Sequence, residues 1–294
     1  MNSEKNVFEK VLTWITFAGP STLAFATVVI LPFLFGIALT FTDWDGISST
    51  FRLVGAENYI KALHDAAFWA SIGMTIKYVA LTVLLTNVLA FLLALLVTGS
   101  LRGENFFRAG FFTPNLIGGI VLGFIWQFLF SNVFVFLGKS AHFKLFASSW
   151  LADPEKAFWA LVLVSVWQTS GYMMIIYIAG LMNVPKELVE ASHIDGARWF
   201  QRLWSIIMPM MMPSFTICLF LTLSRGFMVY DLNLTLTKGG PFNSTELIAM
   251  HVYNEAFLSQ HYGLGQAKAF FLFLMVTIVA MVQVYMTKKL EVEA

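Results

Sequence analysis

Five histidines, one cysteine and 17 acidic residues are the groups able to do acid–base, nucleophilic or metal chemistry in this 294-residue chain. Their spacing fits none of the arrangements that chemistry requires. No Gly-rich loop ends in Lys-Ser/Thr to cradle phosphates. No H-E-x-x-H sets two imidazoles on one helix face, and no G-x-S-x-G turn presents a nucleophile. His64, His142, His193, His251 and His261 are expected in loops. None is paired at metal-ligand spacing; His251 and His261 share a segment but read as solvated. Cys218 is alone, which excludes an intrachain disulfide and a Cys-based metal cluster and leaves a small apolar residue. Neither a metal nor a cofactor is expected in this chain.

The elements that carry these residues are not those of a soluble enzyme. Apolar residues make up 58% of the chain and charged ones 12%, against about 25% charged in a soluble domain. Mean hydropathy is +0.75. Six stretches lack Asp, Glu, Lys and Arg altogether: 11–42, 78–101, 109–138, 157–185, 203–224 and 269–287. A helix needs about 20 apolar residues to cross the hydrocarbon core. In lipid the backbone must satisfy its own polar groups, so each stretch is expected to be helical. The fold class is all-α: a polytopic membrane protein with about six transmembrane helices in a lipid bilayer. Run 11–42 is too long for a signal-peptide core and no cleavage site follows it, so it reads as a retained first span. None of the runs holds a carboxylate, which counts against an ion-coupled carrier. The net charge of +1 suggests no nucleic-acid partner.

Six spans put both termini on one side. Segments 1–10, 102–108, 186–202 and 288–294 carry nine basic residues in 41, including Lys5, Lys10 and Arg102; the opposite segments carry nine in 97. The positive-inside rule then makes both termini cytoplasmic. Trp44, Trp69, Trp150 and Trp159 are expected in the aromatic belt, and Gly119 with Gly123 forms a GxxxG pair suited to close helix approach.

The most informative segment is the loop between the fourth and fifth runs, from Asn183 to Pro209. Pro185 suits a helix start, with Glu187 and Glu190 soon after it. Gly196 can end that helix, and Ala197 to Trp204 can form a second, amphipathic one. The first helix is expected to present a compact Glu-Ala-Ser face. Glu190-Ala191-Ser192, Gly196 six residues after the Glu, then Ile206 and Pro209, resembles the EAA loop of bacterial ABC importer permeases, with Ser192 in place of the second Ala. A second stretch, Asp231 to Thr245 with Gly239-Gly240-Pro241 at its turn, followed by Tyr253-Asn254-Glu255-Ala256-Phe257, resembles an outer segment of the carbohydrate permeases of the maltose, multiple-sugar and glycerol-3-phosphate type. Gly55-Ala56-Glu57-Asn58-Tyr59 resembles that family's short outer G-x-x-N-Y segment, and Phe112-Thr113-Pro114 its third-span opening.

That resemblance implies a MetI-like type I ABC importer permease fold. Residues 1–66 would form the tail, first span and outer segment; 67–290 would form the permease core, with the coupling loop at 184–205. It implies a transport subunit that is not an enzyme. The expected partners are a second homologous permease chain (a heterodimer, or less readily a homodimer), two cytoplasmic ATPase subunits that use ATP and Mg, and an extracytoplasmic sugar-binding protein. Glu190, Ala191, Ser192 and Gly196 would contact the ATPase, supported by Asp195 and Arg198. The substrate would be a sugar, with a neutral oligosaccharide ahead of glycerol-3-phosphate or another polar solute.

Sugars offer CH-rich faces to aromatic rings and hydroxyls that need partners once desolvated. The residues able to serve are Trp167, Gln168 and Tyr172 in the fourth run, and Ser224 and Tyr230 at the exit of the fifth. Asn87 in the second run, and Asn115 and Gln127 in the third, complete the set. Each can equally bond between helices. Arg225 and Lys268 either meet an anion or pair with an acid, Asp231 being the candidate for Arg225.

Overall fold

The computed structural model describes residues 7–99 and 103–291. Lys5, Arg102 and the side chain of Lys10, counted above among the cytoplasmic bases, lie outside the described residues. The helices are α1 (Val7–Phe17), α2 (Gly19–Leu39), α3 (Glu57–His64), α4 (Ala66–Thr98), α5 (Glu104–Phe112) and α6 (Gly119–Ser140). They are followed by α7 (Pro154–Met182), α8 (Lys186–Ile194), α9 (Trp199–Met210), α10 (Met212–Phe227), α11 (Ile248–Tyr253) and α12 (Tyr262–Lys288). The described residues contain no β-strand, only an isolated bridge between Thr42 and Leu53. Helices α2, α4, α6, α7 and α12 are long and apolar enough to cross a membrane; α9 and α10, bent by 70°, make a sixth span if they cross together. His64, His193 and His251, expected in loops, sit in helices. His251 is buried, its ring 6.0 Å from that of Phe68.

Two of the six runs are not straight helices, and proline chemistry explains much of it. Pro213 has no N–H to give to the turn before it, and its ring crowds that turn. The chain accordingly bends at Met211, between α9 and α10. The third run breaks more completely. After α5, a tight turn at Thr113–Leu116 passes into extended backbone at Ile117 and Gly118 before α6 begins. Such backbone survives at membrane depth only where protein or a polar cavity satisfies it, and here the Gln168 amide donates to the Ile117 carbonyl at 3.0 Å.

The chain divides into two compact units, one of residues 1–65 with 252–270, the other of 66–251 with 271–294. In the first, the G-x-x-N-Y segment works as a clasp. The buried Asn58 amide donates to the Thr40 and Thr42 carbonyls at 2.9 and 2.8 Å, and Tyr59 donates to the Thr40 hydroxyl. These bonds serve carbonyls left open where α2 ends. Trp44 lies against Tyr262 with its indole N–H donating to the Ser48 carbonyl.

Lys268, read above as facing an anion or an acid, is fully buried between Asp65 (2.6 Å) and Glu255 (2.5 Å). Burial pushes the Glu255 carboxyl up, but hydrogen bonds from Lys268 and His261 outweigh it and hold it below the ordinary range. A carboxylate with a lowered folded pKa stabilises the fold above its unfolded value of about 4.3 and loses that contribution as pH falls through the folded one. Lys268→Met removes the cation and leaves two facing carboxylates, at a cost of about 3–5 kcal/mol near pH 7. Melting curves in detergent from pH 7 to 4 are expected to show opposite trends: the wild type falls on acidification, while the variant starts low and recovers part of its loss. Parallel curves would refute the pairing as a stability element.

In the second unit α4 lies along α7, and α10 packs on both. One cluster joins Ala90, Ala94 and Val97 of α4 to Met173, Met174 and Tyr177 of α7 and Cys218 of α10. Another is built around Tyr78, Phe130, Phe158 and Leu161. Trp150 stacks on Phe130 and Phe146, each at 5.4 Å, whereas Trp69 and Trp159 are exposed. The GxxxG pair is a true seam. A Cβ on Gly119 would come 2.9 Å from that of Asp231, and one on Gly123 would overlap the Thr235 side chain. Gly123→Val should therefore force α6 off the segment 231–236, costing about 1–3 kcal/mol and lowering the melting temperature; an unchanged value would refute the seam.

Candidate functional site

Three side-chain stripes face one another inside the second unit. On α4, Tyr78, Thr82 and Thr86 recur every four residues; on α7 the stripe is Ser165, Gln168 and Thr169; on α10 it is Thr222, Arg225 and Gly226. Residues three and four apart share a helix face, so each helix turns a polar strip inward although its sequence is largely apolar. The fourth wall is the break before α6: Asn115, Ile117, Gly118 and Gly119. Together they line an open cavity of about 320 Å³, within the range of small-molecule sites (about 300–1,000 Å³).

The walls are held by bonds between helices. The Tyr78 and Ser165 hydroxyls meet across α4 and α7. Asn87 donates to Thr222 at 3.0 Å and accepts from Tyr177 at 2.7 Å, tying α4, α10 and α7 together beside the cavity. Next to that tie the rings of Phe91, Tyr177 and Phe215 pack with centroids 4.9–5.6 Å apart.

Of the residues proposed from sequence for a substrate path, Gln168 and Asn115 line the cavity. Asn87 does not; its amide is used between helices. Tyr172 stands behind the wall, its ring 4.9 Å from the Arg225 guanidinium. Trp167 is half-exposed and packs edge-on against Trp126. Ser224 lies in a separate, apolar groove with Phe220, Val276 and Tyr285. Gln127 and Tyr230 are half-buried and are not among the lining residues. Arg225 pairs with Asn115 (3.1 Å) and not with Asp231, which packs at the α6 seam. The lining that sequence reading missed is the hydroxyl set Tyr78, Thr82, Thr86, Ser165, Thr169 and Thr222. Its signal was the four-residue spacing of hydroxyls within apolar runs.

The loop helix α8 ends in a Schellman arrangement: Ala197 N–H bonds the Ser192 carbonyl at 3.0 Å and Gly196 N–H the His193 carbonyl at 3.1 Å. Gly196 supplies the left-handed turn this needs, with φ of +75°. Arg198 is extended, its N–H bonded to the Gln201 side chain at 2.7 Å, and α9 starts at the next residue. Glu190, Ala191, Asp195, Gly196 and Arg198 are exposed. Ser192 departs from the expected Glu-Ala-Ser face: it is buried, its hydroxyl on the Val189 carbonyl. One turn of helix cannot present all three side chains outward while packing on the bundle, and the exposed apolar neighbours are Leu188 and Ile194 instead.

Gly239-Gly240-Pro241 belongs to a turn clasped from beneath. Fully buried Asn233 donates to the Thr245 carbonyl (2.8 Å) and the Thr237 hydroxyl (2.9 Å) and accepts from Leu247 N–H (3.1 Å). Thr245 in turn bonds the Gly240 carbonyl at 2.7 Å. Gly239 has φ of +74°.

Membrane-crossing helices around a polar cavity, with an exposed loop helix joined through a bent pair to the cavity wall, define a membrane transport protein. The chain belongs to the family of binding-protein-dependent transport system inner membrane components, whose signature covers residues 86–292. It is similar to the probable starch degradation products transport system permease protein AmyD of Thermoanaerobacterium thermosulfurigenes, at 41% identity over the whole of both chains. It is also similar to the multiple sugar-binding transport system permease protein MsmF of Streptococcus mutans, 33% identical over 89% of this chain and 90% of that one. Among solved structures, a bacterial ABC transporter involved in the import of the acidic polysaccharide alginate contains a chain of the same fold, with a TM-score of 0.81 at 17% identity, covering 97% of this chain and 99% of that one. The chain is thus a membrane-embedded ABC permease of the MetI-like kind, all-α as expected.

Proposed function

We propose that this chain is the permease subunit of an ATP-driven importer that carries a sugar, in first place a neutral oligosaccharide, across the cytoplasmic membrane. The observation that carries the reading is mechanical. The exposed Glu190–Ala191 face of α8 leads through Gly196 into α9, which bends by 70° onto α10, and α10 supplies Thr222 and Arg225 to the cavity. A push on the loop helix therefore reaches the cavity wall through one continuous segment. The names of the relatives at 41% and 33% identity support the sugar.

In this reading Glu190, Ala191 and Gly196 meet a cytoplasmic ATPase, with Asp195 and Arg198 beside them. Two ATPase subunits bind ATP and Mg; this chain supplies no nucleotide site. A second, homologous permease chain completes the path as a heterodimer, and an extracytoplasmic binding protein delivers the sugar. Both termini are cytoplasmic, in keeping with the basic residues of their side. The test is ATPase activity of the complex reconstituted with its neighbouring-gene partners, screened across oligosaccharides with the binding protein present. Stimulation by one sugar supports the reading. Response only to another solute class overturns the sugar.

A further inference from the structure

The cavity holds one charged residue, Arg225, and no acidic residue lines it. Among the described residues no carboxylate stands within ion-pair distance of its guanidinium. Asp231, the acid nearest in sequence, is packed at the Gly119 seam. The guanidinium is nonetheless held in place: one N–H donates to the Asn115 side-chain oxygen at 3.1 Å, and its face rests 4.9 Å from the centre of the Tyr172 ring. An Arg carries five N–H donors in a planar fork, and Asn115 takes one of them. A stacked, oriented fork loses little freedom when it forms further bonds.

We propose that Arg225 is the specificity-determining residue of the cavity, donating its fork to adjacent hydroxyl oxygens of a neutral saccharide; this rests on the sugar-importer reading above. Tyr172 and Asn115 act as positioning residues for it. The remaining wall groups, Thr82, Thr86, Ser165 and Thr169, have hydroxyls that rotate and can both donate and accept, so they tolerate many hydroxyl arrangements. The fork has fixed directions and tolerates few. A neutral ligand fits better than an anionic one because a translocation site must release what it binds. A carboxylate or phosphate on a guanidinium makes charge-assisted bonds roughly twice as strong as those of a neutral hydroxyl.

The experiment uses the complete transporter, with partner permease, ATPase subunits and binding protein, in proteoliposomes. Uptake of a neutral oligosaccharide, beginning with glucose oligomers, is measured beside its deoxy analogues and a uronic-acid counterpart. Arg225→Gln is expected to cut uptake of the preferred sugar by about tenfold and to erase discrimination against the deoxy analogues. Arg225→Lys keeps the charge without the fork and should lose the discrimination too; Tyr172→Leu should weaken it by about two- to threefold. Normal uptake and discrimination in Arg225→Gln overturn the role of Arg225 alone, as does full rescue by Lys. A wild type that prefers the uronic acid, with the preference lost in Arg225→Gln, overturns the neutral ligand. A wild type that takes up no saccharide overturns the importer reading itself.

Discussion

Glu190→Ala is expected to leave the chain folded and to abolish ATP-driven transport. Glu190 is exposed on α8, and its side chain makes no hydrogen bond or ion pair among the described residues. Ala is the better helix former, so the intrinsic stability of α8 should change by no more than about 0.5 kcal/mol. Whatever function is lost is therefore lost at a contact outside this chain. A buried charge at an interface is commonly worth 2 kcal/mol or more, so association with the ATPase should weaken by at least about tenfold. Gly196→Val tests the same loop from the backbone side. At φ of +75° a β-branched residue costs about 1–2 kcal/mol, and the Schellman bonds that aim α9 are lost with it. Glu190→Ala should show normal melting of the transmembrane bundle and Gly196→Val a modestly lowered melting temperature; both should show reduced copurification with the ATPase and no sugar-stimulated hydrolysis. Wild-type association and transport in Glu190→Ala would remove the coupling role from α8.

Asn233→Leu is expected to destabilise the core severely, though Asn233 touches no part of the cavity. The substitution keeps the volume roughly constant but deletes two donors and an acceptor. It leaves the Thr245 carbonyl and the Leu247 N–H without those partners at two positions that are fully buried. Each such group costs about 1–3 kcal/mol, for a total of about 3–6 kcal/mol with the Thr237 bond included. The measurement is thermal unfolding of the purified chain in detergent, with protease sensitivity of the segment 238–246 as a local readout. A melting temperature equal to that of the wild type would mean that the turn at Gly239–Pro241 does not depend on this clasp. The outer motif of the sequence is, on this account, the visible part of a structural unit whose anchor is the asparagine six residues before its first glycine.

Much of the architecture could be read along the chain because lipid imposes a local rule: a spanning segment must be apolar and must satisfy its own backbone. The charge-free runs accordingly reappear as α2, α4, α6, α7, the α9–α10 pair and α12. Gly196 was legible for the same reason, since a left-handed residue after a helix is a local demand on backbone geometry. The GxxxG spacing was legible as a permission to approach but not as a partner. Its partner, Thr235, lies more than a hundred residues along the chain.

What tertiary structure alone decided is which polar side chains face one another. Gln168 bonds Ile117 across 51 residues, Tyr177 bonds Asn87 across 90, and Arg225 reaches Asn115 across 110. Each bond depends on the rotation of two helices about their axes, which composition does not set. For that reason Asn87, Ser224 and Trp167, alike in sequence to the residues that do line the cavity, lie elsewhere, while the Tyr78–Thr82–Thr86 stripe turns inward. Ser192 follows the same rule on a smaller scale, drawn inward by packing on the bundle. The chain thus determined by itself which segments cross the membrane and where they turn. The interior they share was decided by packing, because burying a polar group is tolerable only where another helix supplies its partner.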